Sequence, residues 1–124
     1  MHELSVAHAL VATVTSAVAA GDGEPGPVRE VHLRVGELAG VVPDALLFCY
    51  DTATAGTLLE GSTLVVERVP VAGRCDTCGV DTAAASGLRL VCPACGGPLG
   101  ALTAGRELEV SHLVLDDVPV PVAP

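Results

Sequence analysis

At 124 residues the chain has the length of one domain, or of one domain with a small appendage, and half of it is apolar. With no Trp, one Phe and one Tyr, its core has to be built from Val, Leu and Ala. A formal charge of −9, from 15 acidic and 6 basic residues, supplies no cationic footprint for nucleic acid. No apolar run approaches the roughly 20 residues that cross a bilayer, and the start lacks the basic stretch of a secretory signal, so a cytoplasmic protein is expected.

Leu4, Ala7, Val11, Val14 and Val18 recur at steps of three and four, which predicts a first helix with one apolar face. The run Gly21-Asp22-Gly23-Glu24-Pro25-Gly26-Pro27 ends it. Val31, Leu33 and Val35 then alternate with His32 and Arg34 as a half-buried strand, closed by Gly36, with His32 on the solvated side. Pro43 and Asp44 suit the first turn of a second helix that carries Leu46, Leu47, Tyr50 and Ala53 inward and stops near Gly56. Cys49 on that helix reads as a small buried hydrophobe. A second strand spans about Ser62 to Val69, where Pro70 ends it.

Residues from Val71 to Ala104 differ in kind, being Gly-rich, cysteine-paired and without clear periodicity. Regular alternation returns from Arg106 to Leu115, with His112 in phase with Leu108 and Val110 and therefore partly buried. The tail from Val118 is Pro-Val-rich and reads as loose. The expected class is α+β: two helices packed on a small sheet of about three strands, with an inserted four-cysteine, zinc-ribbon-like module. Residues 1–69 with 105–118 form one predicted domain, residues 70–104 the module, and residues 119–124 a loose end.

Four of the five cysteines stand as Cys75-x2-Cys78 and Cys92-x2-Cys95. Each pair places two thiolates on one tight turn, and two facing turns close a tetrahedron around zinc. Gly79, Gly96 and Gly97 provide the permissive backbone such turns need. Four sulfurs leave no open position for water, so the zinc is structural: it lets a segment with little apolar core hold a shape. Two redox CxxC motifs would require a thioredoxin-like βαβ setting that the segment does not show. A nucleic-acid-binding ribbon is disfavoured because Arg74 and Arg89 are balanced by Asp76 and Asp81.

The chain begins Met1-His2-Glu3. A free α-amino group is a competent ligand once deprotonated, and an imidazole at position 2 lies within chelating reach of it. Amine, the amide nitrogens of residues 2 and 3, and imidazole can form a plane of four nitrogens, the preference of Ni(II) and Cu(II) rather than Zn(II). Glu3 suits an axial ligand, a hydrogen-bond acceptor beside the site, or an offsetting charge. Any protein starting Met-His meets this pattern, and the plainer reading is an exposed side chain without a role. His8 reads as a surface residue.

Taken together, Met1-His2-Glu3-Leu4-Ser5-Val6, the stretch Val31 to Pro43 with its Gly36-Glu37-Leu38 and Gly40-Val41, the paired cysteines and Gly105-Arg106-Glu107-Leu108 resemble the HypA/HybF family of nickel-incorporation proteins. The resemblance runs over roughly residues 1–116. It implies a metallochaperone rather than an enzyme, with Ni(II) as transferable cargo held by His2, the Met1 amine and nearby amides, and supported by Glu3. It implies structural Zn(II) on Cys75, Cys78, Cys92 and Cys95. The implied partners are the nickel-handling GTPase HypB, the large subunit of a [NiFe] hydrogenase and, for some relatives, urease maturation. Val42 stands where many relatives carry an acidic residue, which leaves Asp44 as the nearest carboxylate.

Overall fold

The computed structural model describes residues 2–20, 27–85, 89–115 and 118–122. In chain order its elements are α1 (Glu3–Ala19), β1 (Val28–Gly36), α2 (Pro43–Thr54), β2 (Thr63–Val69), β3 (Ala72–Cys75), β4 (Val80–Ala83), β5 (Leu102–Ala104), β6 (Leu108–Leu115) and β7 (Val118–Pro121). The strands form a four-stranded sheet in the order β2-β1-β6-β7 and a three-stranded sheet in the order β4-β3-β5. The chain divides into two compact units, one of Met1–Leu33, Val41–Val66 and Glu109–Pro124, the other of Arg34–Gly40 and Glu67–Leu108. The class is the α+β expected.

In the first unit α1 packs on α2. The buried positions of α1 are Glu3, Ala7, Leu10 and Val14, whereas Leu4 is exposed and Val11 and Val18 are half-buried. The true face is therefore rotated by about one position from the expected one. The helix is apolar on most sides, so periodicity alone does not fix its phase. Along α2 the buried residues are Leu46, Tyr50, Ala53 and Thr54, and Leu47 turns outward. Pro43 occupies the first turn, where its missing N–H leaves no helical bond unmade. Tyr50 is buried yet satisfied, its hydroxyl lying 2.6 Å from Ser62 Oγ, which in turn donates to the Leu59 carbonyl at 2.6 Å. Burial pushes the Tyr50 phenol above its ordinary pKa.

Two further expectations for this unit are corrected. His32 is not simply solvated, because its ring stacks on that of His112 with centroids 3.9 Å apart. Its Nε2 is also 2.7 Å from Glu30 Oε1. The residues read as a loose tail instead include β7, which pairs antiparallel with β6 in the register Leu115↔Val118, Val114↔Pro119, Leu113↔Val120 and His112↔Pro121. Val122 continues the ladder by donating to the Ser111 carbonyl at 3.1 Å. Even-numbered residues therefore aim their N–H groups into the sheet, and the prolines fall on the alternate positions where none is needed.

The second unit is organised by a backbone crossing. Gly36 at the end of β1 lies so close to Gly105 that an added Cβ would stand 2.2 Å from the Gly105 carbonyl carbon and oxygen. Gly105 itself has φ +118° and abuts the Val71 backbone. Around this contact Gly36 donates to the Glu107 carbonyl and Leu38 to the Gly105 carbonyl, each at 2.7 Å, and Glu37 donates to the Val69 carbonyl at 3.0 Å. Two carboxylates complete it: Glu37 Oε1 accepts from the Val71 N–H at 3.0 Å, and Glu107 Oε1 from the Gly105 N–H at 2.7 Å. Its own N–H and that of Gly105 hold the Glu107 carboxyl below its usual range.

Gly36→Ala is expected to cost about 3 kcal/mol or to block folding, since backbone must move to admit the methyl group. Gly40→Ala, at φ +77° but with open space around it, is expected to cost only about 1–2 kcal/mol. Urea denaturation of both variants measures the contrast.

Candidate metal centres

The first cysteine pair sits on a hairpin turn. β3 and β4 pair antiparallel with Cys75 opposite Val80, and Cys78 lies in the turn between them. The second pair sits on a similar loop closed by an antiparallel bridge between Val91 and Pro98 and by the Cys92 N–H donating to the Gly97 carbonyl at 2.8 Å. The two turns share one geometry. In each, the glycine four residues after the first cysteine has φ +73° and donates to that cysteine's carbonyl at 2.8 Å, Gly79 to Cys75 and Gly96 to Cys92. Backbone N–H groups also face sulfur, with Cys78 N 3.4 Å from Cys75 Sγ and Gly97 N 3.4 Å from Cys95 Sγ.

The four Sγ atoms lie within 4.8 Å of one another. Cys75 and Cys95 sulfurs are 3.5 Å apart, and those of Cys78 and Cys92 are 4.0 Å apart. A tetrahedral ion with metal–sulfur bonds of about 2.3 Å would set its sulfurs about 3.8 Å apart, midway between those distances. The donor set therefore fits a four-thiolate ion and is a metal-binding group. The N–H groups of Cys95 and Ala94 bring the Cys92 thiol down to about 7. The neighbouring cysteine sulfurs, Cys75 foremost, push Cys78 up to about 12. Four thiolates at this spacing repel one another, so full ionisation belongs to the metal-bound state. Neither pair opens a helix, the setting that activates a redox CxxC.

At the other candidate centre, Met1 lies outside the described residues. His2 is the N-cap of α1, half-buried, and its side chain makes no capping bond, while its carbonyl accepts from Val6 N–H at 2.9 Å. Glu3 is only 7% exposed, unusual for a carboxylate. Its Oε2 accepts from the backbone N–H of Val42 at 3.3 Å, which ties the start of α1 to the start of α2. Position 42 thus contributes a main-chain donor, and its apolar side chain is no obstacle to that. The spacing of 39 residues hides this bond from any local reading. Asp44 and His8 are exposed, and Cys49 is half-buried with its Sγ 3.5 Å from the Leu46 carbonyl.

The α+β frame and the four-cysteine group define a small metal-binding protein. The family profile described as "Hydrogenase/urease nickel incorporation, metallochaperone, hypA" matches residues 1–115, and the chain belongs to this family. Similar relatives include the hydrogenase maturation factor HypA of Streptomyces avermitilis, 48% identical over 94% of this chain and 88% of its own. That of Roseiflexus sp. strain RS-1 is 45% identical over 94% of each chain. The solution structure of the Ni metallochaperone HypA from Helicobacter pylori shares the fold, with a TM-score of 0.62 and 20% identity over 93% of this chain and 97% of its own. The family is one of metallochaperones, not enzymes. Among the described residues no helix is long and apolar enough to cross a membrane.

Cobalt(II) substitution is expected to give the intense absorption of a tetrahedral thiolate site, and Cys75→Ser or Cys92→Ser to weaken it. Chelation should loosen the second unit while far-UV helix signal from α1 and α2 persists, which circular dichroism measured beside the cobalt spectrum will show.

Proposed function

We propose that the protein binds Ni(II) at its amino terminus and delivers it for maturation of a [NiFe] hydrogenase, while Cys75, Cys78, Cys92 and Cys95 hold a structural Zn(II). The reading keeps residues 1–69 with 105–118 as the nickel-binding part and 70–104 as the zinc-binding part. The observation that carries it is the buried Glu3 carboxylate fastened to Val42 N–H directly beside His2.

The first N–H groups of a helix have no partner within it. The backbone nitrogens of His2 and Glu3 can therefore be given to an ion without breaking a helical hydrogen bond. A bare cation would be repelled by the positive end of the α1 dipole. Deprotonated amides and the nearby Glu3 carboxylate reverse that balance, because the ligand set brings its own negative charge. The Met1 amine and His2 imidazole complete the plane. A site made from the end of the chain exchanges its cargo readily, which suits hand-over to the GTPase HypB and to the hydrogenase large subunit, or to urease maturation. The zinc ion would be saturated by four sulfurs and so serve shape alone.

Titration of Ni(II) into zinc-loaded protein with a native terminus is expected to show one site. His2→Ala and an added N-terminal residue should each weaken it at least tenfold with zinc retained. Equal binding in all three proteins would overturn the terminal site. Because the amine and amides must lose protons, affinity should fall by about tenfold per pH unit for each proton released as pH drops below about 8, the range of an α-amine.

A further inference from the structure

The four cysteines of the metal-binding group are not equivalent. In each pair the first residue is buried, Cys75 at 1% exposure and Cys92 at 2%, while Cys78 and Cys95 are exposed. Donors to sulfur divide the exposed two. Cys95 Sγ faces the Gly97 N–H at 3.4 Å, as Cys75 Sγ faces that of Cys78 at 3.4 Å and Cys92 those of Cys95 and Ala94. Among the described residues no backbone N–H reaches Cys78 Sγ, whose neighbours are the other three sulfurs. An N–H aimed at a metal-bound sulfur draws charge from it and covers a lone pair. Cys78 alone joins an exposed position to a sulfur that no such donor damps. The close sulfur contacts also run between the turns and not within them, Cys75 to Cys95 at 3.5 Å and Cys78 to Cys92 at 4.0 Å.

We propose that Cys78 is a modification site for hydroperoxides, and that Cys92 resolves the oxidised product as a disulfide joining the two turns. The thiolate is the attacking species. Cys78 thiolate displaces hydroxide from hydrogen peroxide, breaking the O–O bond and becoming a sulfenic acid. Cys92 thiolate, on the facing turn, then attacks the Cys78 sulfur, forming the S–S bond and expelling a second hydroxide. Two protons convert both hydroxides to water, so two thiolates and one peroxide give one disulfide and two waters. Only Cys75 and Cys95 are left as donors, too few for the four-thiolate site. The proposal rests on the structural zinc reading and extends it: where a metal supplies the shape of a segment, oxidation of its ligands takes that shape away. The reaction is not dithiol exchange within one CxxC, because the bond joins residues 14 apart in the chain.

The test uses the full-length, zinc-loaded chain, with its zinc content measured before any oxidant is added. Limiting hydrogen peroxide is followed by peptide mass spectrometry, while a chromophoric chelator reports released zinc. Cys49, outside the cluster, is scored separately. A dimedone trap for sulfenic acid is expected to label Cys78 about threefold more than Cys95, and about tenfold more than Cys75 or Cys92. Without the trap, the Cys78–Cys92 disulfide should form first, with zinc released in step and rebound after thiol reduction. Labelling that is even across the four cysteines, or greatest at Cys95, would sink the proposal. So would a first disulfide within either CxxC pair, or zinc release that precedes oxidation of Cys78. Zinc absent before oxidation counts against the structural zinc reading alone, and the order of labelling in cobalt-loaded protein then decides the Cys78 site.

Discussion

The contact between Gly36 and Gly105 is the constraint from which the second unit is built. The missing Cβ at Gly36 lets its backbone lie against that of Gly105, and the missing Cβ at Gly105 lets that residue take φ +118° against Val71. Once they meet, the hydrogen bonds of Gly36, Leu38 and Glu37 become available, and the Glu37 and Glu107 carboxylates satisfy the Val71 and Gly105 N–H groups. Each is a buried or half-buried donor that would otherwise cost free energy. The sequence stretches Gly36-Glu37-Leu38 and Gly105-Arg106-Glu107-Leu108 are thereby explained without any reference to metal. They are the two halves of one crossing, and their acidic residues are structural acceptors.

The two candidate centres solve opposite problems. Around the cysteines the chain has few apolar side chains to bury, and β3, β4 and β5 are only three or four residues long. Turn geometry substitutes for a core, with positive-φ glycines and N–H groups aimed at sulfur setting four donors at tetrahedral spacing. At the start of α1 the Glu3–Val42 bond ties the two helices together, and His2 caps the end they share. In the function proposed, one centre gains by never letting go and the other by doing so.

Much of this was legible in the sequence, for identifiable reasons. The paired cysteines announce themselves because their spacing encodes a local turn. β1 was readable from the strict alternation of Val31, Leu33 and Val35, which are all buried. Pro43 and Asp44 marked the start of α2. What failed was phase and long range. Leu10 replaces Val11 on the buried face of α1, and Leu47 faces water, because both helices have apolar residues on more than one side. The His32–His112 stack and the Glu3–Val42 bond join residues far apart in the chain, and no local pattern contains them. β7 was concealed by its prolines, which discourage a strand only when their positions relative to the ladder are unknown.

Those prolines have a further effect. β7 is the outer strand of its sheet, and the positions whose N–H groups would point away from β6 are Pro119 and Pro121. That rim offers carbonyls but no matching donors, so a stray extended peptide cannot add itself there as another strand. The opposite rim, β2, carries Glu67 and Arg68 just before its last residue, exposed charges that deter the same event by solvation. A chain half apolar in composition is in this way guarded at both margins against growing into fibrous aggregates, by imino acids on one side and ions on the other.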